Sequence, residues 1–364
     1  MRNIRLVLLT SILGGLTTLH ANAQEESNSV WDYAKLYKNE QGDYLNLSGR
    51  LQLDSAWFDA DQGDYQDVLW RRFRFGFKGQ WGSITSGLEA DINLNNELGD
   101  SYNRLTDAYI AWKANDALTL TFLKQSAGFT LGGKTSSKKL YTPQRNNLTN
   151  NLWFTDEYFT GVSAKGKFGS GWAYKGGIYS SDPSDEIGFS DGSYFGLATL
   201  DKDFNISGFD SAKVSIDYVF NDVDPTSGTN NFSNILSVSS ELQTGDFLFL
   251  SDLAMGTGDM GQSDLWGLVL MPTYFQSERL QWVLRYTFIS SSENNGIKFG
   301  RYEREIASGN GDTYNEFYAG VNYYFNEHKF KVHLGAQYTS MEDSARDGGD
   351  YDGAGLTLAI RTYW

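Results

Sequence analysis

Positive charge in this acidic chain gathers in two places. The first is the stretch 70–81, WRRFRFGFKGQW. Read with period two, it puts Arg72, Arg74 and Lys78 on one face and Phe73, Phe75 and Phe77 on the other. The second lies between Asp116 and Asp156, where no acidic residue occurs and Lys124, Lys134, Lys138, Lys139 and Arg145 supply the charge. Guanidinium groups present paired donors matched to oxyanions and ammonium groups present point charge, so both stretches suit the handling of small anions. Other chemistries find no support. The chain has no cysteine, hence no thiol nucleophile, disulfide or thiolate metal site. No G-x-S-x-G elbow accompanies His328 and His333, and the acidic stretch 343–352 lacks calcium-loop spacing. Catalytic residues, metal ligands and cofactors are therefore not expected, and a formal net charge of −15 disfavours nucleic acid as a partner.

The element that carries Arg72 and Arg74 must show an aromatic face to something apolar and a cationic face to water. A soluble strand hides its aromatic face against a second layer, whereas a transmembrane barrel strand turns it to lipid and its polar face to a wet lumen. Composition agrees with many strands and tight turns, with 39 glycines, four prolines and 15% aromatics. Residues 1–23 read as a signal peptide: Arg2 and Arg5, an apolar run over 6–19, and the small-residue ending Ala21-Asn22-Ala23. Beyond it no apolar run approaches the ~20 residues of a membrane helix. An exported chain of this kind is expected in the outer membrane of a Gram-negative bacterium, in contact with its lipids. A soluble secreted β-protein is the alternative that detergent-free solubility would favour.

Residues 24–43 are polar and without clear period, and are expected to form a periplasmic lead-in. Over 44–364, alternating segments of roughly 10 residues recur, the length of a tilted membrane strand. They begin with 44–58, 70–81 and 83–94, continue through 104–113, 117–125 and 157–168, and end with 353–364. The pattern predicts an all-β fold, a transmembrane antiparallel β-barrel of about 16 strands. Short links such as Asn115-Asp116 and Thr244-Gly245 follow even-numbered segments, and longer polar loops, from 59–69 onward, follow odd ones. The third long loop, 126–156, is the acid-free basic one and is expected to fold inward and narrow the pore. The other long loops are acidic. Simple alternation points Arg71 toward lipid, so Arg71 and Arg72 share one lumenal site only if a bulge re-aims one of them.

These residues resemble the phosphate-selective porin O and P family of outer-membrane anion channels. The resemblance rests on WDYAKLYK, LSGRLQLD, RRFRFGFKG, TDAYIAW and the loop FLKQSAGFTLGGKTSSKK. It implies a sixteen-stranded homotrimeric porin whose lumenal basic residues lead small anions such as phosphate past an inward third loop. Carried over residue by residue, it implies that Arg71 and Arg72 form the adjacent-arginine site. In the same way Arg50 is the first-strand arginine and Asp107 the acid of the DAY strand, with Lys134, Ser136 and Ser137 as the loop lysine and its serines. The loop entry FLKQSAGF departs from the family's G-Q-F-K-x-P-F by lacking the proline. A general or weakly selective porin without a phosphate site is the alternative left open by the residues.

Overall fold

A segment of alternating polarity can sit in lipid only when its backbone is paired on both edges, and sixteen segments of this chain meet that condition together. The computed structural model describes residues 30–154, 157–294 and 296–364, so the expected signal peptide lies outside the described residues. The barrel strands are β1 (Tyr44–Ala60), β2 (Gly63–Trp81), β3 (Ile84–Ile92), β4 (Tyr102–Asn115), β5 (Leu118–Ser126), β6 (Tyr158–Phe168), β7 (Trp172–Ser180) and β8 (Tyr194–Phe204). They continue as β9 (Ser211–Asn221), β10 (Phe232–Thr244), β11 (Phe247–Gly258), β12 (Leu265–Phe275), β13 (Leu280–Ser291), β14 (Thr313–Asn326), β15 (Phe330–Glu342) and β16 (Tyr351–Tyr363). Each pairs antiparallel with its neighbours in sequence. β16 returns to β1 with Tyr363 opposite Arg50 and Gly353 opposite Ala60, which closes the sheet and removes its edges. Ahead of β1, a short strand, Lys35–Lys38, pairs with its first residues, and Trp31 Nε1 donates to Tyr363 O at 2.9 Å.

The two faces differ as the alternation requires. Phe75, Phe77, Leu88, Ile178 and Phe317 are exposed on the outer surface, while Arg50, Arg74, Glu89, Asp217, Glu316 and Lys331 are buried on the inner one. Short turns at one end of the barrel use Gly82, Gly169 and Gly245 at φ between 52° and 55°, a left-handed conformation that costs glycine nothing. The stretch 59–69, expected as a long loop, is a correction. β1 runs to Ala60 and β2 starts at Gly63, so Asp59 faces Asp64 and Phe58 faces Tyr65 across a two-residue turn. Above the hydrocarbon both faces meet water or protein, and charge on a strand does not interrupt its pairing. Tyr65 there stacks on Tyr302, and Leu69 packs against the cluster that Tyr302 forms with Ala56 and Phe58.

The third loop, described over 127–154 and at Glu157, lies inside the barrel. It carries two short helices, α1 (Leu131–Lys134) and α2 (Asn147–Leu152), capped by the side chains of Thr130 and Asn146. Its apolar residues Phe129, Leu148, Leu152 and Phe154 form one cluster with Phe195, Val219, Ile235, Ala254, Val269 and Ile289 from the inner wall of β8 to β13. The lumen is therefore not uniformly polar, as a water-filled barrel was expected to be. Burying this face against the far wall leaves Lys138 and Arg145 of the loop toward the strands that carry Arg50, Arg71, Arg72 and Arg74.

Candidate functional site

A β-bulge sets the site. Gln52 of β1 pairs with Arg72 and Leu53 with Trp70, so Arg71 is the extra residue of β2. The bulge re-aims Arg71 into the lumen beside Arg72 and Arg74, where its Nε donates to Gln144 Oε1 of the third loop at 3.2 Å. Arg74 NH2 lies 3.3 Å from Asp91 and its NH1 donates to Tyr158 OH. From the loop, Arg145 donates to the carbonyls of Gly132 and Thr135 at 2.9 and 3.0 Å and stacks over Trp153 at 4.5 Å. The loop is thus pinned around its own arginine.

Between these cations sits Glu157, a residue the sequence reading passed over. Its carboxylate is 3.7 Å from Arg72, 3.7 Å from Arg74 and 3.9 Å from Arg145. Those separations give Coulombic attraction but exceed hydrogen-bond length, so the guanidinium donors are not consumed by the carboxylate. Burial pushes the Glu157 carboxyl up, yet the guanidiniums of Arg145, Arg72, Arg74 and Arg104 outweigh it and hold the group well below the usual carboxylate range.

Three cavities meet here. One of 410 Å³ opens toward the long-loop end and is lined by Arg71, Arg72, Arg74, Arg104, Arg145, Lys298, Arg301 and Arg304 against only two acids, Asp91 and Glu157. A second, of 260 Å³, is lined by Arg50, Asp107, Lys134, Ser137, Arg145 and Glu157 among others. A third, of 520 Å³, reaches His328 at the short-turn end and also contains Lys134, Lys139 and Arg145. Arg145 borders all three.

The family model for phosphate-selective porin O and P matches residues 45–245, more than half of the chain. The chain belongs to the phosphate-selective porin O and P family. Solved structures of low identity share the fold. The anion-selective porin of Comamonas acidovorans is 11% identical over 88% of this chain and 100% of its own, with a TM-score of 0.62. The Salmonella typhi OmpF complex with daunomycin is 15% identical over 91% and 100%, with a TM-score of 0.64. A trimer form of in-vitro folded OmpT from Vibrio cholerae is 14% identical over 88% and 99%, with a TM-score of 0.52. No curated protein sequence matches the chain. This porin is accordingly an outer-membrane channel protein.

Within the porin, the sequence-predicted site residues divide. Arg50 donates to Ser137 Oγ at 2.7 Å and pairs with Glu89 at 2.8 Å, and Asp107 stands opposite Glu89 on β4. Lys138 lies 5.3 Å above the Tyr363 ring, and burial beside Arg50 lowers its pKa to about 8. Arg50, Arg71, Arg72, Arg74, Asp107, Ser137, Lys138 and Arg145 thus share one side of the lumen. Lys134 instead pairs across the barrel with Asp217 at 2.9 Å, and Lys124 donates to the fourth-loop carbonyls of Ser184 and Glu186 at 2.7 and 2.6 Å. Ser136 and Lys139 are exposed toward the cavities nearer the short-turn end. Four cations were missed by the sequence reading: Arg104 on β4, and Lys298, Arg301 and Arg304 from the loop 292–312, where the string KFGRYERE was the only signal for the last three.

Proposed function

We propose that this porin passes small oxyanions such as phosphate by diffusion, as a homotrimer, through a constriction formed by Arg71, Arg72 and Arg145. One observation carries the reading: the guanidiniums of Arg72, Arg74 and Arg145 converge on Glu157 at distances too long for direct hydrogen bonds, so the donors not already held by Gln52, Tyr158 and the loop carbonyls stay open to a passing anion. Arg50, Arg74, Asp107, Ser137 and Lys138 line the same side of the route, while Lys134, Ser136 and Lys139 border its later part and Lys124 holds the fourth loop. Glu157 competes with the bound anion for the same cations and keeps the site weak enough to release it. The family and the anion-selective Comamonas acidovorans neighbour support this reading. The trimer form of OmpT supports the oligomeric state.

A second reading is a weakly selective porin. It is favoured by the pairing of wall cations with acids: Arg50 with Glu89, Arg285 with Glu316 and Arg361 with Asp54. Planar-bilayer reversal potentials in asymmetric KCl separate the two. The oxyanion reading expects anion selectivity, a chloride current reduced by added phosphate, and loss of both in Arg71→Gln/Arg72→Gln. A cation-selective potential in the unaltered protein, indifferent to phosphate, sinks it.

A further inference from the structure

The cavity at the long-loop end is larger than a bare oxyanion requires: its 410 Å³ falls within the size range of sites that take whole small organic molecules. Its composition is also richer. The loop 292–312 supplies a second bank of cations opposite β2. Tyr302 OH donates to Asp54 and Gln337 Nε2 donates to the Glu303 carboxylate at 2.8 Å, so the turn bearing Arg301 and Arg304 is anchored to the wall. The Lys298 backbone is bonded to the Asn151 side chain at both its N–H and its carbonyl, at 2.8 and 3.1 Å. Among the described residues neither Lys298 nor Arg301 forms an ion pair.

Amides complete the lining. Asn103 on β4 is exposed and its side chain makes no hydrogen bond among the described residues, and Asn150 on α2 is exposed with a side chain that makes only a 3.5 Å contact to Arg145 O. A site for anions alone has no use for acceptors, whereas an amide offers both a donor and an acceptor, the pairing that a neutral hydroxyl needs. Building on the anion-channel reading, we propose that this mouth captures hydroxyl-bearing organic phosphates, chemically like a sugar phosphate. The phosphoryl group sits between Arg71 and the Arg301–Arg304 bank and the hydroxyls meet Asn103 and Asn150.

The test uses the full barrel in planar bilayers, with glucose 6-phosphate, inorganic phosphate or glucose added on the long-loop side and the half-blocking concentration of the chloride current as readout. Two or more added hydrogen bonds predict that glucose 6-phosphate blocks at a concentration about tenfold below that of inorganic phosphate. Glucose alone has no effect. In Asn103→Ala/Asn150→Ala the two phosphates converge, and in Arg301→Gln/Arg304→Gln the glucose 6-phosphate value rises. Equal half-blocking values in the unaltered protein, or a preference that survives the amide substitutions, overturn the inference while leaving the channel reading in place. A cation-selective reversal potential in the same membranes defeats the channel reading itself.

Discussion

Glu157 decides the charge balance of the constriction. Its carboxylate stays ionised because four guanidiniums surround it, and it lines the cavity through which the proposed anion route runs. Glu157→Gln keeps the shape and removes the competitor, so phosphate is expected to block the chloride current at a concentration roughly tenfold lower and to dwell longer. An unchanged dwell time in single-channel records contradicts this role. Lys138 gives the pH dependence. With its pKa lowered to about 8 by burial and by Arg50, offset by Glu89 and Asp107, it is charged below pH 8 and neutral above it. Anion selectivity is therefore expected to fall between pH 7 and pH 9, and Lys138→Arg is expected to abolish that step because arginine keeps its charge there. Reversal potentials at the two pH values check both. Sequence alone exposed the need for a bulge at Arg71 but not Glu157, which follows directly on the acid-free window that ends at Asp156.

At the scale of elements, the third loop is held by a row of wall residues donating to four loop carbonyls. Lys331 reaches Leu140 O, Asn322 reaches Tyr141 O at 2.9 Å, Arg361 reaches Pro143 O at 3.1 Å and Arg285 reaches Gln144 O at 3.0 Å. The inward Arg285, Lys331 and Arg361 thus act as loop fasteners, because a segment crossing the lumen carries backbone carbonyls that need donors. Arg285 and Arg361 also neutralise Glu316 and Asp54, so Lys331 and Asn322 offer the cleaner test. Lys331→Met/Asn322→Ala strands two carbonyls at about 1–3 kcal/mol each. The expected result is a wider, noisier channel, measured as raised single-channel conductance. Conductance identical to the parent means the loop is fixed by its apolar face alone. The wall patch that this face meets was itself hidden in the sequence, since Leu197, Val219 and Val269 lie on strands whose outward residues, such as Leu200, Ile216 and Trp266, are apolar too.

For the whole molecule, the barrel was legible because period-two alternation and the sorting of short and long connections are local signals repeated many times. The site was not, because it is assembled across the lumen by residues that share no local pattern. Glu157 meets Arg72, Tyr302 meets Asp54 and Lys134 meets Asp217, and only closure of the sheet brings these partners together. The first hairpin shows the same limit: its acidic residues read as loop until their pairing partners were known.

That dependence on closure has a consequence in time. The Tyr302 to Asp54 bond spans 248 residues, Arg361 to Pro143 spans 218 and Lys331 to Leu140 spans 191. Contacts of such separation form slowly, after the local hairpins, because their loop-closure entropy is met only once the strands between them are in place. The inward third loop is thus fastened only after the strands between its partners have paired, so whatever narrowing it gives the lumen is among the last features that the folding chain acquires.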